Sequence, residues 1–109
     1  MKMKKKYIGK WWIKEMELWD KEYIDLVAQG HFMIKSNGTG SFQFSAVEAG
    51  VDCKVELVKG VERLEFSFEG ADEGDPVSGR GWAQVEGTKM TGRIYFHLGD
   101  DSAFTATRK

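Results

Sequence analysis

The sequence predicts an all-β fold: a small antiparallel up-and-down β-barrel of about eight strands, with one short helix near the N-terminus. Three observations carry this expectation. From Gly30 onward, apolar and polar residues alternate with period two, the pattern of strands with one buried and one wet face. Turn signals separate these runs at intervals of roughly ten residues, with links too short for parallel crossovers. Thirteen glycines and one proline in 109 residues suit a chain with many turns.

The first thirty residues admit two readings. Ile8, Trp12, Met16, Trp19, Tyr23 and Val27 recur at helical spacing, which would make one amphipathic helix. Against this, Trp11-Trp12-Ile13 favours strand. Asp20 can cap a new helix, with Glu22 in its first turn and Gly30 just past its end. The preferred reading is a strand over 8–18 and a short helix over 21–28.

Strands then follow to the end. Phe42, Phe44 and Ala46 alternate with Ser41, Gln43 and Ser45. Val51, Cys53, Val55 and Leu57 alternate with Asp52, Lys54 and Glu56. The same holds for Leu64, Phe66 and Phe68, and for Met90, Gly92, Ile94 and Phe96. Turns are expected at 36–40, at Ala49-Gly50, at Lys59-Gly60, over a longer acidic loop at 70–76, at Glu86-Gly87 and at 99–101.

Residues 1–6 read as a flexible, solvated basic arm ahead of a single domain over 7–109. Lys10, Lys14 and Glu15 interrupt the apolar stretch that a signal peptide would need, and no run reaches membrane-spanning length. The net charge of −1 gives no global field for nucleic acid. Cys53 is the single cysteine, so no intrachain disulfide can form, and a reducing compartment follows. The expectation is a cytoplasmic protein with neither nucleic acid nor membrane as partner.

Gly9-Lys10-Trp11, opening a strand ahead of a one-domain meander, resembles the start of lipocalins and their barrel relatives such as avidin. That resemblance implies a calycin-type barrel whose base is closed by this strand. The chain is short for a lipocalin, and Cys53 alone supplies no lipocalin disulfide. A longer resemblance runs through Met16-Glu-Leu-Trp-Asp20, Tyr23-Ile-Asp-Leu-Val27, Gly40-Ser-Phe-Gln-Phe44, Gly79-Arg-Gly-Trp82 and Gly92-Arg-Ile-Tyr-Phe-His97. These segments are similar to a group of small, functionally uncharacterised bacterial proteins, which implies a bacterial origin and transfers no activity.

Several residues invite a chemical role and a plainer one. His97 beside Asp100 and Asp101, with Tyr95 on its strand face, could serve acid–base chemistry or a metal. It reads first as a strand ending in an acidic turn, because His31 is too distant in sequence for ligand spacing. Asp72, Glu73 and Asp75 lack the ligand pattern of an EF-hand. Cys53, on an apolar strand face, behaves as a small hydrophobe with a raised pKa. Gly79-Arg80-Gly81 lacks the helix a phosphate loop requires. Its glycines permit coiling or close approach, and the small face Gly79, Gly81, Ala83 leaves room for a large neighbour. On the other face, Trp82 reads as core covered by Arg80, or as a recognition surface with cation–π contact.

No metal or cofactor is expected, and an enzyme is the least favoured class. The favoured function is a small binding barrel with a mostly filled interior. It would take a small apolar or aromatic ligand at one mouth, contacted by Trp11, Arg80, Trp82, Tyr95 and His97. The alternative is a protein-interaction module, or a homodimerising structural domain pairing through open barrel edges, without a small-molecule ligand.

Overall fold

The computed structural model describes residues 2–108. In chain order the elements are β1 (Gly9–Met16), α1 (Lys21–Ile24), β2 (His31–Ile34), β3 (Thr39–Phe44), β4 (Val47–Val58), β5 (Val61–Asp72), β6 (Asp75–Glu86), β7 (Lys89–Phe96) and β8 (Asp101–Thr107). Each strand pairs antiparallel with the next, and β8 pairs back onto β1, closing the barrel. The all-β, eight-stranded up-and-down expectation holds, with one short helix near the N-terminus. Every strand has a paired neighbour on both sides, so the incomplete barrel invoked for homodimer pairing is not present, although β4 runs on past its last β3 partner at Asp52. Among the described residues no helix is long and apolar enough to cross a membrane.

Alternation decides where strands run, even across residues that look like turns. Ala49-Gly50 lies inside β4, because Val47, Ala49, Val51 and Cys53 continue one inward-facing row. The turn falls instead at Ser45-Ala46, where Ser45 takes φ 53° and its amide donates to the Ile24 carbonyl at 2.7 Å. The expected acidic loop at 70–76 shrinks to Glu73-Gly74. Both residues have positive φ, 51° and 89°, the requirement of a two-residue hairpin turn. Asp72 and Asp75 face each other as the last pair of the β5–β6 ladder.

At the N-terminal end, a β-bulge explains the blurred periodicity. The β1–β8 register shifts between Ile13 and Glu15. Trp11 and Ile13 face inward, an extra residue passes, and Met16 is buried again. One inserted residue converts period two into a locally helix-like spacing. The strand ends at Met16 and the helix is a single turn, shorter than 21–28. Its cap is the expected one: Asp20 Oδ1 accepts from the Tyr23 amide at 2.9 Å. Gly30 sits against that turn, where a β-carbon would lie 2.5 Å from Ile24 Cγ2.

The interior is filled by rings. Phe32 contacts Phe66 and Phe104 at centroid distances of 5.0 and 5.9 Å, and Phe42 meets Phe68 at 4.9 Å. The column continues through Phe68 to Phe96 at 5.3 Å, and through Phe44 to Trp19 at 5.1 Å. Edge-to-face and offset contacts of this kind add to the burial of each ring. Gly79 and Gly81 make the space: a β-carbon there would stand 2.7 Å from Phe68 Cζ and 2.4 Å from Phe66 Cζ.

The opposite end is sealed. Trp11 is fully buried, donates through Nε1 to the Tyr7 carbonyl at 3.0 Å, and lies under the Arg108 guanidinium at 4.2 Å. Arg108 also donates to the Ile8 carbonyl at 2.7 Å and to the Lys6 carbonyl. The Gly9-Lys10-Trp11 strand thus closes the barrel base. Residues 2–6 keep their lysines exposed, yet the segment is tied down rather than loose. Met3 is buried and its amide donates to the Ser36 carbonyl at 2.7 Å. An apolar residue inside a basic run is enough to anchor it.

Candidate binding site at the barrel mouth

Among the described residues, sealing the base leaves the other end as the mouth. Four connections meet there: the α1 segment, the Ser45-Ala46 turn, the β5–β6 hairpin and the β7–β8 loop. Between them lies a cavity of about 330 Å³, at the small end of the roughly 300–1,000 Å³ typical of ligand pockets. Phe44 and Phe96, the last inward rings of β3 and β7, form part of its wall, joined by Trp19 and Tyr23. Those last two are stacked at 6.3 Å with an 18° tilt, so the aromatic column ends in a ring pair at the mouth.

Backbone contacts hold this wall in place. The one-turn helix is capped by Asp20 and bonded to the β3–β4 turn through Ser45. Ser102, fully buried on β8, accepts from the Leu18 amide at 3.3 Å and donates to the Ala103 carbonyl at 2.9 Å. His97 is fixed through its amide, which donates to the Ser78 carbonyl at 2.7 Å. Partial burial pushes the Asp25 carboxyl upward, but the Gly30 amide and Lys21 outweigh it and hold it below its ordinary value. Lys21 is therefore committed to Asp25.

The polar residues of the cavity are Asp72, Ser78, His97 and Asp100. Asp72 continues the row of Leu64, Phe66, Phe68 and Gly70, the inward-facing positions of β5. Neither the Asp72 nor the Asp100 carboxylate takes part in a hydrogen bond or ion pair among the described residues. Asp101, by contrast, pairs outside the barrel with Arg93 at 3.0 Å, which also reaches Glu17 at 3.3 Å.

Of the five residues singled out from sequence, the structure brings three together. Arg80, Tyr95 and His97 line a shallow outer groove of about 690 Å³. Arg80 already lies over the Tyr95 ring at 4.6 Å, covering the apolar surface a ligand would use. His97 also borders the mouth cavity. Trp11 is at the sealed base. Trp82 is on the outer face, half-buried beneath Arg63 at 4.6 Å rather than Arg80. Sequence reasoning missed Trp19, Tyr23, Phe44 and Phe96 as a group. A signal was available for Trp19 and Tyr23, which flank the expected Asp20 cap, and for Phe96, which ends its strand just before the expected turn at 99–101; Phe44 was hidden because the turn after it was expected at Ala49-Gly50.

Comparison with known protein families, with curated proteins and with solved structures gives no match. The architecture, an eight-stranded antiparallel closed barrel with its base plugged by a tryptophan under an arginine, is compatible with the calycin type. What the arrangement can do chemically is read from the mouth alone. Aromatic rings, one carboxylate on an inward strand position and one on the bordering loop suit binding. His97 has no side-chain hydrogen bond to Asp100 or Asp101 among the described residues.

Proposed function

We propose that the protein is a binding barrel that seats one small aromatic or apolar molecule at its mouth. The observation that carries this reading is the cavity of about 330 Å³ whose wall is the exposed end of the interior ring column. A ligand there would extend a stack the protein has already built, with Trp19 and Tyr23 held by the cap and turn contacts. Preorganised walls of this kind lower the entropic cost of binding. The reading belongs with a calycin-type barrel working in the cytoplasm of a bacterium, as the sequence leads one to expect.

Val77 offers the test. It faces the cavity from the inward row of β6 and is only partly buried. Val77→Trp would fill the mouth without disturbing the sealed interior. Calorimetric titration with a panel of one- and two-ring aromatics should give binding to the wild type, reduced at least about tenfold in Val77→Trp, with the melting temperature little changed. A panel without a single binder would refute the proposal.

One observation favours a second reading, a protein-interaction surface. Leu98 is 96% exposed at the tip of the β7–β8 loop with φ 58°, a backbone state costly for a bulky side chain. Leu26 and Val27 are also exposed near the same rim. A strictly monomeric, partner-free state in native-host pull-down would argue against it.

A further inference from the structure

We infer that the mouth selects organic cations: an amine or quaternary ammonium group carried on an aromatic or apolar body. This rests on the binding reading above and adds the charge of the ligand. Three independent features lead to it. The cavity is lined by the rings of Trp19, Tyr23 and Phe96, and the negative face of an aromatic ring attracts a cation placed over it. Asp72 stands on an inward position of β5, and Asp100 joins it from the β7–β8 loop; both carboxylates are without a cationic partner among the described residues. No lysine or arginine lines the cavity. Lys21 is committed to Asp25 and Arg93 to Glu17 and Asp101, while Arg80 in the adjoining groove lies over the Tyr95 ring.

The whole molecule reinforces the local arrangement. The near-neutral net charge of −1 conceals a separation along the barrel axis. The mouth connections carry Glu17, Asp20, Glu22 and Asp25, then Asp72, Glu73 and Asp75, then Asp100 and Asp101, against Lys21 alone. The base carries Lys2, Lys4, Lys5, Lys6, Lys35, Lys59, Lys89 and Arg108 against Glu62 and Glu86. A cleft lined by one sign of charge concentrates the opposite sign. Carboxylate ligands such as fatty acids face repulsion at this mouth, and a neutral ring gains only stacking.

A matched indole series separates these cases: tryptamine as the cation, indole-3-propionamide as the neutral analogue and indole-3-propionate as the anion. Calorimetric titration of the full chain at pH 7 and low salt should rank them in that order. Tryptamine should bind about tenfold or more tighter than the amide, and added salt should narrow the gap. Asp72→Asn, and separately Asp100→Asn, should weaken tryptamine several-fold and leave the amide within about twofold. Equal affinities for all three would overturn the charge inference while leaving the binding cavity in place. Binding by none of them would overturn both.

Discussion

Individual residues show how tightly the interior is determined. Gly81 faces inward where Phe66 already fills the barrel, and a β-carbon there would sit 2.4 Å from both Phe66 Cζ and the Arg93 carbonyl. Gly50, on the outward face of β4, has nothing closer than 3.9 Å. Gly81→Ala is therefore expected to destabilise by about 1–3 kcal/mol through overpacking. Gly50→Ala should be neutral or slightly stabilising, because alanine loses less backbone entropy in a strand. Urea denaturation of the two variants checks this; equal midpoints would show that the rings do not fill the space these glycines leave. The small face at Gly79, Gly81 and Ala83 was legible from sequence, as was the inert Cys53, whose thiol burial pushes up to about 12. The partners were not. Trp82 lies under Arg63, nineteen residues earlier in the chain, because Trp82 and Glu65 are paired across β5 and β6. Sequence neighbours alone pointed to Arg80.

At the scale of elements, strands and their order could be read from alternation, while two kinds of feature could not. A bulge shifts parity by one residue and leaves no compositional mark, which is why the start of the chain resembled a helix. Hairpin turns compete with the ladder: Ala49-Gly50 is a good turn pair, but moving the turn there would break the inward row from Val47 to Cys53. The N-terminal segment gives a quantitative case. Tyr7 is fully buried and donates to Glu62 at 2.7 Å, while Lys4 donates to the other carboxylate oxygen at 2.6 Å. Burial, then the Glu62 bond, raises the Tyr7 pKa above its ordinary 10, while the bonds from Lys4 and Tyr7 lower that of Glu62. The phenol holds its proton more tightly folded than unfolded. Its contribution is complete below pH 10 and is lost as pH rises from there through the folded value. Glu62 contributes above its unfolded value near 4.5 and loses that as pH falls. Tyr7→Phe should cost about 1.5–3 kcal/mol at neutral pH, the range for a bond to a charged group. It should also lose stability less steeply than the wild type above pH 10. Parallel curves in thermal melts across pH 8–11 would mean that Tyr7 does not clamp the base.

Across the whole molecule, closure and filling decide where function can reside. An eight-stranded barrel has room for its own side chains or one small ligand, and here the rings take the interior up to Phe44 and Phe96. The base is occupied by Tyr7, Trp11 and Arg108, so the mouth is what remains. The sequence showed an aromatic excess, from which a mostly filled barrel was the expectation. It could not show which rings stop short of the end, because that depends on strand stagger and on a one-turn helix bringing Trp19 and Tyr23 over the opening. The basic arm and the acidic stretch at 72–75 were visible in the sequence, but that the acidic residues of 17–25, 72–75 and 100–101 share one end emerges only when the hairpins stack their tips there. Amide chemical-shift mapping with indole as the probe tests this account most directly. Shifts should concentrate in 19–23, 44–47, 72–78 and 96–100, with the base around Tyr7, Trp11 and Arg108 silent. Shifts centred on the base or on the outer Arg80–Tyr95 face, or none at all at millimolar indole, would contradict it.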